Sequence, residues 1–291
     1  MNTTGCKTVA VVGLGLIGGS IAKAFQKYTP HRVLGLDRDT AVMREALDCG
    51  AIDEAITPAQ LAQASLIYLC LYPQAAIDFI REYGCFIAPG CIVTDTCGIK
   101  TEICAQMPQL AASYGFTFIG AHPMAGRERN GFVMSDADLF LGASFILTPC
   151  GAAAEAVAEL KRTTMPLGFS ASVETTPEDH DRLIAFTSQV PHALACAYVM
   201  SPCCPRHKGF SAGSYRDVSR VANINEELWS ELFLDNAAPL SAELETLIRH
   251  LSLIRQAVDS RDRDRLRELL RQGRLVKEEL DLFAREDLGE L

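Results

Sequence analysis

A chain of 291 residues has room for one large domain or two ordinary ones, with a substantial apolar core in either case. Hydrophobic residues at 48% and charged residues at 22% match a soluble globular protein and exclude a disordered or fibrous chain. A net charge of −9 would repel nucleic-acid phosphates and anionic lipid, so neither nucleic acid nor a membrane is expected as a partner.

In chain order, the first feature is the strand-like run "TVAVVG", which passes directly into "LGLIGGS". Gly13, Gly15 and Gly18 fit G-x-G-x-x-G between a predicted strand and a predicted helix. The first glycine permits a tight turn, the second lets a pyrophosphate approach the backbone, and the third lets helix pack on strand. Leu16 and Ile17 open that helix, whose free N–H groups and partial positive charge suit phosphates. Asp37 ends the next strand-like run, "RVLGLD", where an acid would meet the adenosine ribose hydroxyls. That favours NAD; Arg38, which could instead bind a ribose phosphate, keeps NADP as the alternative.

"LIYLCL", "CIVTDT", "TFIGAHP", "ASFILTP" and "FSASVETT" continue the strand pattern, separated by helical stretches. Strand and helix alternating in this way predict an α/β fold: a Rossmann-type, doubly wound parallel sheet forming a dinucleotide-binding domain over residues 1–175. At Thr176 the character changes. A capping threonine, Pro177 at the first helical position and acids in the first turn predict a helix start. Helical patterns over 178–200, 210–223, 225–256 and 261–286 then predict an all-helical domain over 176–291 that binds substrate. Its several apolar stripes predict a homodimer.

His122 falls at the end of a predicted strand, where the carboxyl ends of a parallel sheet meet the ligand crevice. With a reference pKa near neutrality it could take a proton from an alcohol as the carbon gives up a hydride. Arg216 and Arg220 lie four apart on a predicted helix, so one could grip a substrate carboxylate while the other pairs with an acid. His180, Gln189 and His192 lie on helices, where core or capping roles are the default. The eleven cysteines include no C-x-x-C pair and no Cys/His cluster at zinc spacing, so no metal is expected. With no signal-peptide pattern and nothing near 18 consecutive apolar residues, the chain reads as cytoplasmic, with reduced thiols.

Taken together, "GLGLIGGS", "VTDTCGIK", "GAHPMAG", the pair "HD" at 180–181, "VPHALA" and "YRDVSRVANINEELWSELFLDN" resemble the prephenate dehydrogenase family over nearly the whole chain. The resemblance implies NAD-dependent oxidative decarboxylation of prephenate to 4-hydroxyphenylpyruvate, with arogenate as the alternative substrate. It implies His122 as the base that accepts the ring hydroxyl proton and Arg220 as the residue that holds a substrate carboxylate. Glu128, His180, Gln189, His192, Arg216 and Thr96 become candidate substrate-side residues, and Asp95 joins the cofactor set. L-tyrosine is implied as an inhibitor, acting at the active site or the subunit interface. The sequence departs from the family where Gly98 replaces the usual serine, so Thr96 or a water would have to stand in for that hydroxyl. It also has a neutral Gln189 where the family often has a basic residue. A hydroxyacid dehydrogenase of related build would use a lysine on a second-domain helix; Lys208, in a loop-like stretch, is the only lysine from 178 to 250. A nucleotide-sensing protein that has lost its chemistry is the remaining alternative, against which His122 and Arg220 count.

Overall fold

The computed structural model describes residues 5–127 and 129–287, the side chains of 282–287 excepted. Glu128, a candidate from the sequence, lies outside the described residues. Eight strands form one sheet in the order β3-β2-β1-β4-β5-β6-β7-β8. In chain order these are β1 Thr8–Val12, β2 Arg32–Leu36, β3 Glu54–Ala55, β4 Leu66–Leu69, β5 Ile92–Asp95, β6 Thr117–Pro123, β7 Ser144–Thr148 and β8 Ala171–Glu174. Helices α1 Leu16–Tyr28, α2 Thr40–Asp48, α3 Pro73–Tyr83, α4 Thr101–Tyr114 and α5 Ala154–Thr164 connect them.

Alternation along the strands builds two cores. Val9, Val11, Leu66 and Tyr68 point into one, with Phe25 of α1 and Leu160 of α5. Ala10, Val12, Ile67 and Leu69 point into the other, with Ile77 and Ile80 of α3 and Ile103 of α4. A sheet apolar on both faces needs helices on both faces, and this is the doubly wound arrangement expected from the sequence. One expectation is corrected: the sheet is not wholly parallel, because β6 and β7 pair antiparallel. A parallel return needs a crossover, usually a helix. Between β6 and β7 the only regular turn among the described residues is a single 3₁₀ turn, Phe132–Met134, so the chain reverses at the same end of the sheet.

After β8 every element among the described residues is helical: α6 Pro177–Ile184, α7 Val190–Val199, α8 Gly213–Ser219, α9 Glu226–Asp235, α10 Ala237–Asp259 and α11 Arg263–Asp287. The Thr176 hydroxyl caps α6 by accepting from the Asp179 N–H, with Pro177 first in the helix, as its sequence predicts. The expected helix over 178–200 is interrupted by a π-helical turn, Ala185–Gln189, and that over 225–256 is broken at Asn236.

Contacts divide the chain into two compact units, Met1–Ala237 and Ala238–Leu291. The second consists of α11 and all but the first residue of α10. Its interleaved charges form ion pairs along the helix surface, among them Arg274–Glu278 at 2.5 Å and Arg271–Glu268 at 3.7 Å. Its apolar residues Ile248, Leu251, Leu270, Val276 and Leu280 are exposed. Among the described residues no helix is long and apolar enough to cross a membrane.

Candidate active site

The parallel strands leave their carboxyl ends on one side, and the glycine turn leaves β1 there. Gly13 has φ +87°, a left-handed conformation that a side chain would strain, and its N–H donates to the Leu36 carbonyl at 2.8 Å. A Cβ on Gly18 would sit 1.8 Å from the Gly13 carbonyl oxygen, so the helix reaches the turn only without one. A Cβ on Gly15 would meet nothing within 4 Å. The turn therefore leaves open the space in which a phosphate would approach the start of α1, where Leu16 is buried and Ile17 partly so. Asp37 follows β2 and stands beside the turn, one carboxylate oxygen accepting from the Leu14 N–H at 2.6 Å and the other from the Asp39 N–H at 2.9 Å. Arg38 is exposed next to it.

The second cluster centres on His122 in β6. His122 Nδ1 is 3.0 Å from His180 Nε2, and His180 Nδ1 is 2.7 Å from Asp181 Oδ1. Asp181 also accepts from the N–H groups of Lys100 at 2.8 Å and Thr101 at 2.7 Å, at the start of α4. Burial alone would raise the Asp181 carboxyl, but the hydrogen bonds from His180, Thr101 and Lys100 hold it below the usual carboxylate value. An ionised carboxylate only accepts, so His180 carries its proton on Nδ1 and its Nε2 is an acceptor. His122 must then donate from Nδ1, which leaves the lone pair of His122 Nε2 available. Burial, then the charges of His180 and Lys100, hold His122 well below the ordinary histidine value of 6.5. Burial likewise lowers His180. Both rings are neutral at pH 7, and the outer one is a base.

Asp95 holds the floor beneath this cluster. It is wholly buried and pairs with the buried Lys100, while its oxygens also accept from the N–H groups of Cys97 at 2.8 Å and Ala121 at 3.1 Å. Lys100 Nζ donates in turn to the Ala121 carbonyl at 2.7 Å, next to His122. The resemblance places Asp95 with the cofactor residues; here three protein donors enclose its carboxylate. Gln189, a candidate on the substrate side, is enclosed in the same way. It is 1% exposed, its Nε2 donates to the Leu232 carbonyl at 2.7 Å, and its Oε1 accepts from Asn236 Nδ2 at 2.7 Å. Asn236 also donates to the Asp181 carbonyl at 2.8 Å, so this amide pair clamps the end of α9 to the histidine cluster.

His192 Nδ1 donates to the Ser188 carbonyl at 2.7 Å, and the ring stacks on Trp229 with centroids 3.7 Å apart. Its pKa is lowered by burial and by the charge of Arg220, which places those two side chains in one neighbourhood. Arg220 opens a 3₁₀ turn after α8 and lines an open cleft of about 480 Å³. Arg216 is exposed on α8, outside that lining. Thr96 is half-buried just past β5, its N–H donating to the Leu69 carbonyl at 3.2 Å. At Gly98 a Cβ would lie 4.0 Å from His122 Cε1 and 3.7 Å from Leu232, ordinary contacts that leave room for a small side chain. Nothing local in the sequence pairs Asp181 with Lys100 or with Asn236, which lie 81 and 55 residues away along the chain.

The family model for the nucleotide-binding domain of prephenate dehydrogenase matches residues 21–172, and that for its dimerization domain matches residues 176–272. The chain belongs to the prephenate dehydrogenase family. A prephenate dehydrogenase from Lactococcus lactis is 28% identical over 284 residues, 95% of this chain and 78% of that protein. The crystal structure of Synechocystis arogenate dehydrogenase superposes with a TM-score of 0.80 at 28% identity, covering 94% of this chain and 99% of that one. A prephenate dehydrogenase from Aquifex aeolicus, in complex with hydroxyphenyl propionate and NAD+, shares the fold with a TM-score of 0.84 at 24% identity, covering 96% and 100% of the two chains. The match to the prephenate dehydrogenase nucleotide-binding domain begins at residue 21. The glycine turn lies ahead of it, and its reading rests on the turn's own geometry.

Proposed function

We propose that this chain is an NAD-dependent prephenate dehydrogenase that oxidises and decarboxylates prephenate to 4-hydroxyphenylpyruvate. The observation that carries this is the His122–His180–Asp181 series, which leaves an uncharged acceptor nitrogen at the end of a strand of the dinucleotide-type sheet. The residues fit NAD: a turn that only glycine completes, open space at Gly15, free N–H groups at the start of α1 and the Asp37 carboxylate where ribose hydroxyls would bind. When bound, NAD+ accepts the hydride of the ring carbinol.

The protein's own steps are then few. His122 Nε2 takes the carbinol proton. His180, fixed by Asp181, holds the ring in the tautomer that can do so and lies next to the cation that forms. Arg220 holds a substrate carboxylate, with His192 and Trp229 forming the wall beside it. Asp95 acts through Lys100 and the backbone of Ala121. In this reading residues 1–175 bind the dinucleotide, and residues 176–291 bind substrate and pair two copies of the chain. Eleven free thiols suit the reducing cytoplasm.

The test is stoichiometry: prephenate with NAD+ should yield NADH, carbon dioxide and 4-hydroxyphenylpyruvate in equal amounts, and NADP+ should support a lower rate. Absence of NADH formation from both prephenate and arogenate would contradict the proposal. Arogenate is the second reading, supported by the likeness to the Synechocystis enzyme.

A further inference from the structure

The cleft that Arg220 lines is also lined by Arg127, Arg129, Met134 and Asn223. Two of its arginines come from the connection that leaves β6 after Pro123, the residue next to His122. That connection is pinned to α1: the Asp136 N–H donates to Ser20 Oγ at 2.9 Å, and Lys23 Nζ donates to the Ser135 carbonyl at 3.0 Å. The far end of that connection is thus fixed to the helix that follows the glycine turn.

They are not equivalent. The Arg127 guanidinium serves its own loop, 2.5 Å from Asp136 Oδ2 and 3.2 Å from the Met134 carbonyl. Arg220 is engaged within the protein. Arg129 is exposed and enters no hydrogen bond or ion pair among the described residues. Of the three cleft arginines it is the one with no charge partner among the described residues.

Substrate chemistry gives that charge a use. Prephenate carries two carboxylates, one on the ring and one at the end of the pyruvyl arm, and both branch from the same ring carbon, opposite the carbinol. A site that holds one carboxylate on Arg220, with the carbinol at His122, brings the other into the same cleft. We infer that Arg129 is a specificity-determining residue that receives the pyruvyl carboxylate, so that the site selects the dianionic substrate over one whose side chain also carries an ammonium group. A guanidinium pairs with a carboxylate through two parallel hydrogen bonds, whereas an ammonium arriving at the same place meets a like charge. This inference rests on the proposed activity.

The test compares kcat and KM for prephenate and for arogenate in the wild type, Arg129→Gln and Arg129→Lys, with thermal unfolding as the control for folding. The wild type should prefer prephenate. Arg129→Gln should lower kcat/KM for prephenate by about tenfold or more, chiefly through KM, as loss of a charged hydrogen bond predicts. It should lower kcat/KM for arogenate by a smaller factor, so that the preference narrows, and Arg129→Lys should fall between. A wild type active on prephenate whose Arg129→Gln variant loses nothing, or loses the same factor on both substrates, overturns this inference alone. A wild type inert on both overturns the parent activity and this inference with it.

Discussion

At the scale of single residues, the site depends on which atoms carry protons. Asp181 is the fixed point: three donors keep it ionised, and its charge orders the tautomers of His180 and then His122. Only neutral His122 can accept a proton. Because burial holds its pKa well below 6.5, the active form persists as the solution is acidified past the ordinary histidine value. The acid limb of kcat/KM for prephenate should therefore lie below pH 6.5; an inflection at or above that value would contradict the burial argument. Gly98 offers a second residue-level test. Its neighbours leave room for a side chain beside His122, so Gly98→Ser should fold with unchanged thermal stability. Its hydroxyl should help align substrate and base, raising kcat by about two- to tenfold, the worth of one ordinary hydrogen bond. A fall in kcat would mean that the water or side chain now serving that position is better placed than the serine. As candidates, His122 was legible from a strand end and the pair Arg216 and Arg220 from helix spacing, with Arg220 singled out only by the resemblance. The relay was not, because its two histidines are 58 residues apart and meet only through the fold.

At the scale of elements, the glycine turn separates two functions that one motif combines. Gly18→Ala forces a methyl to within 1.8 Å of the Gly13 oxygen, so it should lower stability and dinucleotide affinity together. At Gly15, φ is −74°, allowed for any residue, and the added methyl meets no protein atom. Gly15→Ala should therefore leave the melting temperature unchanged and raise KM for NAD+, because the methyl occupies the path of the pyrophosphate. Equal melting losses in both variants, measured by thermal unfolding, would sink the distinction. Most strands could be read from sequence because short, continuous apolar runs bounded by turn residues mark strands buried on both faces. β3, at two residues, is too short to do so, and no strand's sequence carries its direction, so the antiparallel β6–β7 pair was invisible. The break at Asn236 was hidden for a related reason. Helical periodicity runs across it, and what sets it apart is an amide spent on the Asp181 carbonyl and on Gln189, far away in the chain.

At the scale of the whole molecule, the helical segment after Ala237 leaves Leu251, Leu270, Val276 and Leu280 exposed, and the family model that reaches residue 272 describes a dimerization domain. Light scattering should give twice the chain mass of 31.6 kDa, and Leu251→Arg should shift the population toward the monomer. A monomer at micromolar concentration would remove the dimer from the account. The fold class and the order of its two parts were legible because local pattern decides them; the assembled site was not, because long-range pairing decides it. The claim on which everything else turns is that His122 is the base. The direct measurement is kcat for prephenate with NAD+ in His122→Asn, alongside the dissociation constant for NAD+. The account predicts a fall in kcat of about three orders of magnitude, within the range for a general base, with NAD+ binding unchanged. A variant that keeps kcat within about tenfold of the wild type would contradict it.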